Sequence, residues 1–529
     1  MSTKTLSTAL SVVFVLAGAV CAEDWAHWRG PTYNGVAKTP ALVDAFEETG
    51  PKKLWESEKL CPGRGGYSSV SIADGRAYTY VHLLYNEPVT ERVVPKNLPA
   101  RFGYVAGMPK ELLEKVEAAR VSDERAKLSR RKVRQWAGEW TKANLDGDTR
   151  KYKRAIETRL QAGKNAMPIE VCKKLGDLAG NTYPDHAAFV AAMNAIGLDA
   201  AAQKQVVRTA PSSKRASKDY AVCLDAETGK TLWKKELPSW AMWYPASCTP
   251  TLVDGKCYVL SSEAKVYCLD AKTGEEIWTS EQVCHPGSKR NTHNRSSSVL
   301  ILDGVAVVTT RGRTSGLDAK TGKVLWKNDR IKSEYGSAVP YTAGGRSVAV
   351  LVGARKVAGL DVKTGEIIWS LKGGDGSTPT IVGDHLVVTA GKQLICYRLA
   401  GEEPELKWEV PFNDAHTAPT IHDGHVYVFG EAYGKRGKGR ALCVEIATGK
   451  TAWTHEMKND HQHSSAVVAD GKIITIGGAV LYLVKATPEK YTELGQARLG
   501  LEKYSSVAVA DGKVYLRKPG SVVCYDLRK

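Results

Sequence analysis

The stretch VYCLDAKTGEEIW, from Val266 to Trp278, is the clearest copy of a pattern that recurs along most of the chain. Close copies end at Trp233, Trp326, Trp369 and Trp453, and a looser copy, ICYRLAGEEPELKW, ends at Trp408. Successive tryptophans lie 45, 48, 43, 39 and 45 residues apart. A fixed period of this size indicates an architecture in which one supersecondary unit is repeated.

Each copy predicts a β-hairpin. A short apolar run leads into Asp-x-x-Thr-Gly, and a second apolar run follows. Asp and Thr side chains bond turn amides, and Gly supplies the positive φ that a tight loop needs. Eight further turns mark an earlier hairpin in each unit: Asp74-Gly75, Asp254-Gly255, Asp303-Gly304, Gly344-Gly345, Gly383-Asp384, Asp423-Gly424, Asp470-Gly471 and Asp511-Gly512. Each unit is therefore predicted to have four antiparallel strands.

The two ends of the chain together complete one unit. PKKLWESEKL, around Trp55, repeats the end of the motif without its beginning, whereas the C-terminal KYSSVAVADGKVYLRKPGSVVCYDL contains three strands and then stops. Pairing these segments closes a ring and removes exposed sheet edges. The sequence thus predicts an all-β fold, an eight-bladed β-propeller formed by residues 51–85 and 219–529, whose last blade is closed by the N-terminal strand.

The first blade is interrupted by residues 86–218, which are predicted to be a helical insertion. A helix is expected to begin at Pro109, and a second amphipathic run begins at Asp185. The segment holds 26 Lys and Arg against 15 Asp and Glu, so it carries 11 of the formal net charge of +17. As the loop between the second and third strands of a blade, it is expected to rise beside the mouth of the central channel.

The N-terminal segment predicts export. Residues 1–22 contain Lys4, an apolar run from Ala9 to Val20 and a small-residue cleavage site, as in a secretory signal peptide. The alternative is an uncleaved N-terminal anchor. No later segment approaches the roughly 18 apolar residues of a membrane span. We therefore expect a periplasmic or extracellular protein, with residues 23–50 forming an arm that lies on the body.

Composition and cysteine usage are those of a soluble globular protein, with 43% hydrophobic and 25% charged residues. Ten cysteines follow the predicted signal, and export permits disulfides, whose pairing the sequence leaves open. Five cysteines occupy nearly the same place in the repeat: Cys223, Cys268, Cys396, Cys443 and Cys524. A repeated position has a repeated environment, which favours small buried residues over metal or haem ligands.

The Asp-x-x-Thr-Gly-x-x-x-Trp copies, the eight four-stranded units and the split closing blade together resemble the pyrroloquinoline-quinone-like (PQQ-like) propeller repeat family. WAHWRGPTYNGV near the N-terminus is similar to the opening of secreted bacterial members. The resemblance implies that the repeat tryptophans dock between neighbouring blades: Trp55, Trp233, Trp278, Trp326, Trp369, Trp408 and Trp453. The seventh unit departs, with YTELGQARL in place of the Thr-Gly-Trp ending.

The resemblance leaves two classes of function open. The family contains quinoprotein alcohol and sugar-type dehydrogenases, and also propellers without a cofactor, including a component of the bacterial outer-membrane protein assembly machinery. Its dehydrogenases typically use a Trp platform, a calcium ion, an Asp base and often two adjacent cysteines over the quinone. This chain has no Cys-Cys pair, and no motif aligns a Glu, Asn and Asp calcium set.

Candidate ligand-binding residues lie where each innermost strand begins, seven residues before the first turn of each unit. That column reads Tyr67, Ser247, Ser296, Ser337, Gly376, His416, His463 and Tyr504. Arg295 and Asp375 lie one position earlier, and the links between blades add Trp240, Trp243 and His293. Such residues could bind a metal or a flat anionic molecule at the channel mouth, or could hydrogen-bond neighbouring blades and fix the ring.

The first hypothesis is an exported, non-enzymatic binding or scaffold protein that acts through the channel mouth and helical cap. Its partner would be a protein or acidic polymer of the cell envelope, because clustered Lys and Arg attract anions. Export argues against nucleic acid, and we expect a monomer without catalytic or metal-binding residues. The alternative is a PQQ-dependent dehydrogenase that oxidises an alcohol or sugar with PQQ and calcium bound.

Overall fold

The computed structural model describes residues 23–529, apart from 287–295, 401–402, 433–437, the single positions 311, 332, 334, 354, 375, 415 and 462, and the side chains of 130 and 131. The predicted signal peptide lies outside this part of the chain. The chain divides into two compact units: the residues up to Leu84 together with Ser217–Lys529, and Tyr85–Ala216. We call them the sheet unit and the helical unit.

The strands of the sheet unit form a series of antiparallel sheets, numbered here by the position of the first strand of each sheet. Sheet 1 comprises Ser71–Ala73, Arg76–Pro88, Ser213–Asp225 and Thr231–Leu237. Sheet 2 comprises Thr251–Val253, Lys256–Leu260, Val266–Asp270 and Glu276–Thr279. Sheet 3 comprises Leu300–Leu302, Val305–Thr310, Arg313–Asp318 and Val324–Asn328. Sheet 4 comprises Val339–Ala343, Arg346–Gly353, Lys356–Asp361 and Ile367–Lys372.

Sheets 5 to 8 continue the series. Sheet 5 comprises Thr380–Val382, His385–Ala390, Gln393–Arg398 and Glu405–Pro411. Sheet 6 comprises Thr420–His422, His425–Glu431, Gly439–Glu445 and Thr451–Met457. Sheet 7 comprises Val467–Ala469, Lys472–Gly477, Val480–Lys485 and Glu493–Arg498, and the short strand Val36–Ala37 joins it. Sheet 8 comprises Ala508–Ala510, Lys513–Lys518, Ser521–Asp526 and the early strand Lys52–Glu56.

The first strands of the sheets form the inside of a ring. Each first strand contacts the first strand of the following sheet, and Ala508–Ala510 of sheet 8 contacts Ser71–Ala73 of sheet 1. Lys52–Glu56 pairs antiparallel with Ser521–Asp526, and Trp55 lies opposite Cys524. Sheets arranged radially around a shared centre define a β-propeller. The predicted mostly-β propeller class is therefore confirmed.

The strands that flank the helical unit are longer than the sequence indicated. We expected the second strand of sheet 1 to end near Leu84 and the third to begin near Asp219. Instead, the second strand, Arg76–Pro88, continues to Pro88 and the third, Ser213–Asp225, begins at Ser213. These strand ends were not predicted, because strand prediction depends on alternating apolar residues and the residues there are mostly charged or polar.

The helical unit contains short helices around two apolar clusters of its own. Its α-helices are α1 Leu98–Arg101, α2 Lys110–Val121, α3 Asp123–Ala126, α4 Arg130–Asn144, α5 Lys153–Ala162, α6 Ile169–Lys174, α7 His186–Ala195 and α8 Ala200–Val207. It also has the 3-10 helices Thr149–Tyr152, Gly163–Asn165 and Leu175–Leu178 and the paired strands Arg92–Val93 and Thr182–Tyr183. Pro109 directly precedes α2, and the Asp185 carboxylate caps α7 by accepting the Ala188 N–H.

Each repeat tryptophan contacts the next sheet around the ring. The Trp278 indole N–H donates to the Ala319 carbonyl at 3.2 Å, and a Cβ added at Gly322 would lie 2.4 Å from the Trp278 ring. Gly322 also has a φ of +74°, so the turn needs glycine for both space and conformation. Equivalent indole–carbonyl bonds join Trp55 to Ala226, Trp233 to Ala271, Trp326 to Val362, Trp408 to Ile446 and Trp453 to Thr487.

The repeated cysteines lie opposite the repeat tryptophans on the neighbouring strand. Cys268 faces Trp278, and the other four cysteines of the set face their own tryptophans. Where the cysteine is replaced, glycine takes its place: Gly316 faces Trp326 and Gly359 faces Trp369. A small residue is thus required beside the indole. All ten cysteines in the described part of the chain are free and buried.

In sheet 7, an aromatic residue from the N-terminal arm replaces the missing tryptophan. Gly495 occupies the strand position that holds the tryptophan in the other sheets, since it lies opposite Leu483 just before the same register shift. A Cβ at Gly495 would lie 2.9 Å from the Phe46 ring. Phe46 therefore packs where the YTELGQARL ending lacks its own indole.

A ring of side-chain hydroxyls joins the first strands to one another. Each hydroxyl accepts the backbone N–H of the preceding sheet, at 2.9–3.1 Å. The pairs, each given as the residue that donates its backbone N–H and then the residue whose hydroxyl accepts, are Ser69 and Thr249, Thr249 and Ser298, Ser298 and Ser337, Ser337 and Thr378, Ala418 and Ser465, Ser465 and Ser506, and Ser506 and Ser69. Ala418 has no hydroxyl to accept from Thr378, so this hydroxyl ring has one gap.

The first part of the N-terminal arm, residues 25–37, lies against the first strands inside the ring, whereas Phe46 packs on the outer strand of sheet 7. Trp25 is buried and bridges Ile72 of sheet 1. The buried Arg29 guanidinium donates to the carbonyls of Pro419 and Ala466, from sheets 6 and 7. Val36–Ala37 then pairs parallel with the first strand of sheet 7. Residues 25–37 therefore occupy the channel, because they contact first strands on several sides of the ring.

The gap in the hydroxyl ring leads to two predictions of opposite effect on stability. Ser465→Ala removes the acceptor of the buried Ala418 N–H and should destabilise the fold by about 1–3 kcal/mol. Ala418→Ser supplies the missing acceptor and should stabilise it by about 0.5–1.5 kcal/mol. Urea unfolding followed by tryptophan fluorescence measures both. If both variants shift the midpoint in the same direction, the hydroxyl ring does not contribute as described.

Candidate functional site

A pocket of about 380 Å³ lies where the first strands begin. Its size is near the lower end of the range for small-molecule sites. The lining residues are aromatic, hydroxyl-bearing or small: Trp28, Tyr67, Ser69, Tyr244, Pro245, Ser247, Thr249, Ser296, Ser298, Tyr335, Ser337, Gly376, Thr378, His416, His463 and Tyr504. Five of them belong to the hydroxyl ring. Trp28 of the arm reaches the same level, and its indole N–H donates to Thr378 Oγ1 at 3.0 Å.

Five aromatic side chains of this lining form a continuous series, which we call the aromatic arc: Tyr335, His416, His463, Tyr504 and Tyr67. Successive ring centroids lie 5.2, 4.3, 5.0 and 5.1 Å apart. Most neighbouring rings meet near right angles, at 77° for Tyr335 and His416, 87° for His463 and Tyr504, and 84° for Tyr504 and Tyr67. Edge-to-face contacts of this kind stabilise aromatic pairs, so the arc is a preformed wall.

The structure brings four of the predicted site residues together in this pocket: Tyr67, His416, His463 and Tyr504. Trp240 and Trp243 are not among its lining residues, and Trp243 is 64% exposed. Tyr244, directly after Trp243, lines the pocket instead. The remaining candidates, His293, Arg295 and Asp375, lie outside the described residues.

Sheet 4 contributes Tyr335 to the arc, whereas counting seven residues back from the first turn of this unit selected Ser337. Its first strand, Val339–Ala343, has five residues, whereas the first strand of sheet 2, Thr251–Val253, has three. Counting seven residues back from the turn therefore falls two residues short and selects a member of the hydroxyl ring. Aligning the units on the Ser or Thr that precedes each first strand would have found Tyr335 and the hydroxyl ring. Nothing in the repeat pattern pointed to Trp28.

Two residues of the arc have a strained backbone. His463 and Tyr504 have φ values of +65° and +69°, in the left-handed region that residues with a Cβ rarely adopt. Holding such a conformation costs on the order of 1–3 kcal/mol for each residue. Observed strain of this kind concentrates at binding sites, where the surrounding structure keeps side chains in place. It therefore supports a functional role for the arc.

Two buried carboxylates lie beside the arc. Asp414 is buried, and its Oδ1 lies 3.9 Å from Nδ1 of His416. Burial raises the pKa of Asp414 to about 6, although hydrogen bonds from the His416 and Thr417 backbones and from the Thr417 hydroxyl oppose the shift. Glu502 is 1% exposed, and burial likewise raises its pKa. Glu502 Oε1 lies 3.7 Å from the exposed Arg64 guanidinium, while Oε2 is buried without a hydrogen-bond partner.

The imidazole of His463 is neutral near pH 7. Burial, and then the neighbouring His416, lower the pKa of His463 to about 3. Burial raises the pKa values of Tyr67 and Tyr504, so both phenols stay protonated. The titratable groups of the pocket wall with a defined shift are thus held uncharged by burial.

The fold and pocket define the chain as a β-propeller with an aromatic and hydroxyl-lined site at one end of its channel. The family model described as outer membrane protein assembly factor BamB matches residues 197–339 and 353–529. The chain belongs to this family of PQQ-like propeller repeats, which confirms the family predicted from the repeat. No curated protein matches the sequence.

Solved structures with a similar fold include proteins of several kinds. BamB from Moraxella catarrhalis is 17% identical, with 58% of this chain and 91% of that chain covered, at a TM-score of 0.46. The quinohemoprotein alcohol dehydrogenase ADHIIG from Pseudomonas putida HK5 is 12% identical over 59% and 72% of the chains, at 0.43. The computationally designed Ika8 protein is 14% identical over 59% and 92%, at 0.45. At these values the similarities carry no information about function.

The described pocket lining does not fit PQQ with calcium. Hard cations such as Ca²⁺ require several oxygen ligands, usually including carboxylates, and the carboxylates of PQQ would need cationic partners. The described lining residues include neither a carboxylate nor an Arg or Lys side chain. Within the described residues, no group of three or more His, Cys, Asp or Glu is placed to hold a metal ion.

The pKa of His463 leads to a prediction about pH and stability. The unfolded chain protonates this histidine near its ordinary pKa of 6.5, whereas the folded protein does so only near 3. The unfolded state therefore binds one more proton between these values, and stability must fall as pH decreases through this window. Asn tolerates a positive φ, so His463→Asn should leave the backbone in place. The variant should lack the part of the slope of unfolding free energy against pH that this one proton contributes.

The measurement is urea unfolding at a series of pH values from 4 to 7. Replacing the exposed His186 of the helical unit by Asn is the matched control. An unchanged slope for His463→Asn would show that His463 is protonated normally in the folded protein.

Proposed function

We propose that the chain is an exported, non-enzymatic β-propeller of eight blades that binds its partner or ligand through the pocket at the channel mouth. The observation that carries this proposal is the aromatic arc, whose rings are preformed and partly held by a strained backbone. Aromatic rings around a concave, mostly apolar site with a few convergent polar groups are typical of ligand recognition. The helical unit, residues 86–218 as predicted, would provide a second contact surface.

The eight-bladed architecture is supported by the pairing of the strands. Each of the eight numbered sheets would be one blade, and the early strand Lys52–Glu56 would close the last blade by pairing with Ser521–Asp526. The helical segment would be an insertion between the second and third strands of the first blade, because these strands, Arg76–Pro88 and Ser213–Asp225, flank it.

A binding role agrees with how the polar groups of the pocket are used. The oxygens of the Ser69, Thr249 and Ser298 hydroxyls each accept a backbone N–H from a neighbouring sheet. Hydroxyls in this arrangement hold the sheets together. Among the described residues, none of these three hydroxyls is hydrogen-bonded to a base in the nucleophile–base arrangement that covalent catalysis uses.

The helical unit supports a partner with negative charge. Exposed cationic side chains lie on and around helices α4 and α5: Lys132, Arg134, Lys142, Arg150 and Arg154. Within the described part of the chain, none of these five has a carboxylate within 4 Å to form an ion pair. Clustered cations without counter-charges raise the local concentration of anions and speed their encounter.

The proposed location and partner follow from the N-terminal segment and the family. Residues 1–22 would direct export to the periplasm or beyond. None of the helices in the described part of the chain combines the length and apolar character needed to cross a membrane. The family model is described as an outer membrane protein assembly factor. We propose a protein or an acidic polymer of the cell envelope as partner, bound by a monomer.

The channel-mouth proposal predicts that binding depends on Tyr504. The immobilised full-length protein, Tyr504→Asn and Arg355→Asn would be compared for retention of the same envelope components. Both variants place Asn, which accepts a positive φ, at a left-handed position, but only Tyr504 lines the pocket. We expect the components retained by the native protein to be lost with Tyr504→Asn and kept with Arg355→Asn. Equal retention by all three proteins would contradict binding at the mouth.

The same preparation tests the dehydrogenase alternative. Incubation with PQQ and calcium, followed by dye-linked assays with alcohols and sugars, should show neither saturable binding nor turnover. Saturable PQQ binding together with turnover would replace the binding proposal by the dehydrogenase.

The helical unit predicts a salt-sensitive interaction with polyanions. Combining Lys132→Gln, Arg134→Gln, Lys142→Gln and Arg150→Gln removes four exposed charges and should lower the salt concentration at which the protein leaves a sulfated-polysaccharide column. The matched control removes the same charge from exposed turns of the sheet unit: Lys272→Gln, Lys320→Gln, Lys363→Gln and Lys450→Gln. Equal effects of the two sets would mean that only net charge matters.

A further inference from the structure

Two further aromatic side chains, Trp28 and Tyr244, line the same pocket as the arc, and we call this set of rings the aromatic box. Tyr67, Tyr335 and Tyr504 line the pocket together with Trp28 and Tyr244. Neighbouring rings of the arc stand nearly perpendicular, at 84° for Tyr67 and Tyr504, as adjacent walls of a box do. The faces of Trp and Tyr rings carry negative electrostatic potential and attract cations, above all when water is excluded.

Negative charge is concentrated next to this box. The carboxylates of Asp414 and Glu502 are buried beside the arc, and Oε2 of Glu502 has no hydrogen-bond partner. Asp460 and Glu502 also act on Tyr504, since, after burial, Asp460 is the next cause of its raised pKa and Glu502 adds to it. Three cations oppose this charge at Glu502: Arg64, Arg517 and Lys503. Arg64, 62% exposed, and the exposed Lys503 are screened by water, whereas Arg517 is buried. The carboxylates of Asp414 and Asp460 would add to the attraction of a ligand cation in the box.

The hydroxyl ring offers hydrogen-bond donors at the inner end of the same pocket. Ser69, Thr249, Ser298 and Ser337 use their oxygens to accept backbone N–H groups. Among the described residues, no acceptor receives a hydrogen bond from any of these four hydroxyls. Because all four residues line the pocket, their O–H groups can donate to oxygen atoms of a ligand.

We infer that the pocket binds a small methylated ammonium compound of the choline or betaine type. The methylated cation contacts the aromatic arc and Tyr244, and the oxygen at the other end of the ligand accepts from the hydroxyl ring, where Trp28 also lies. This inference rests on the proposed binding role of the channel mouth and names the chemical class that the mouth recognises.

The test measures binding of four small molecules to the full-length protein by titration calorimetry. Choline and betaine carry both the methylated cation and the oxygen. Tetramethylammonium has the cation alone, and 3,3-dimethylbutan-1-ol has the shape of choline without its charge. We expect choline or betaine to bind best, tetramethylammonium more weakly, and the uncharged alcohol at least roughly tenfold more weakly than choline, the size of a cation–π contribution in a desolvated site.

Protein variants locate the site. Tyr504→Asn should weaken choline or betaine binding roughly tenfold or more, because it removes one wall of the box at a position where Asn accepts the backbone. Arg355→Asn makes the same replacement at another left-handed position away from the pocket and should leave affinity unchanged. Tyr335→Phe keeps the ring and should retain most of the affinity. Circular dichroism of each variant checks folding.

The outcomes separate the ligand class from the site. If the uncharged alcohol binds as well as choline, or if neither choline nor betaine binds at millimolar concentration, the inferred ligand class is wrong, whereas the channel-mouth proposal stands on its own retention experiment. If choline binds but Tyr504→Asn and Arg355→Asn behave alike, the ligand lies elsewhere and the site assignment is wrong. A trimethyl-lysine peptide that binds more tightly than choline would identify the source of the methylated cation as a protein side chain.

Discussion

The contact between one innermost strand and the next is the constraint on which this structure depends. Seven of the eight sheets donate a backbone N–H to a hydroxyl of the following sheet, and the series closes from Ser506 to Ser69. Farther out, each repeat tryptophan crosses the same boundary, as Trp278 does when it donates to the Ala319 carbonyl. Hydrogen bonds to the hydroxyls near the channel and tryptophan side chains farther out together hold neighbouring sheets in a closed circle.

The same constraint positions the candidate site. Because the hydroxyls lie along the channel, the residue two positions earlier in each unit is carried to the mouth, and five units place His or Tyr there. Residues 25–37 of the arm occupy the channel and bring Trp28 to the level of the hydroxyls, where it lines the pocket. His463 and Tyr504 hold positive φ values there, a local cost that the closed ring can sustain.

Periodicity in the sequence predicted the repeat, the propeller class and the family, since hairpin turns and apolar strands are local properties. Tyr67, His416, His463 and Tyr504 could be placed together because a repeat converts sequence position into position on the ring. Tyr335 was missed because the first strand of sheet 4 is two residues longer. Trp28 and Phe46 were missed because the arm has no period, and its contacts are formed only by the folded chain.

The most direct test is a crystal structure of the full chain grown with betaine. The account predicts the trimethylammonium group within about 6 Å of the Tyr67 and Tyr504 ring centroids, a carboxylate oxygen at the hydroxyl ring, and Trp28 closing the pocket beneath it. Betaine ordered away from the mouth, or an arm that lies outside the channel and leaves the pocket open at both ends, would contradict it.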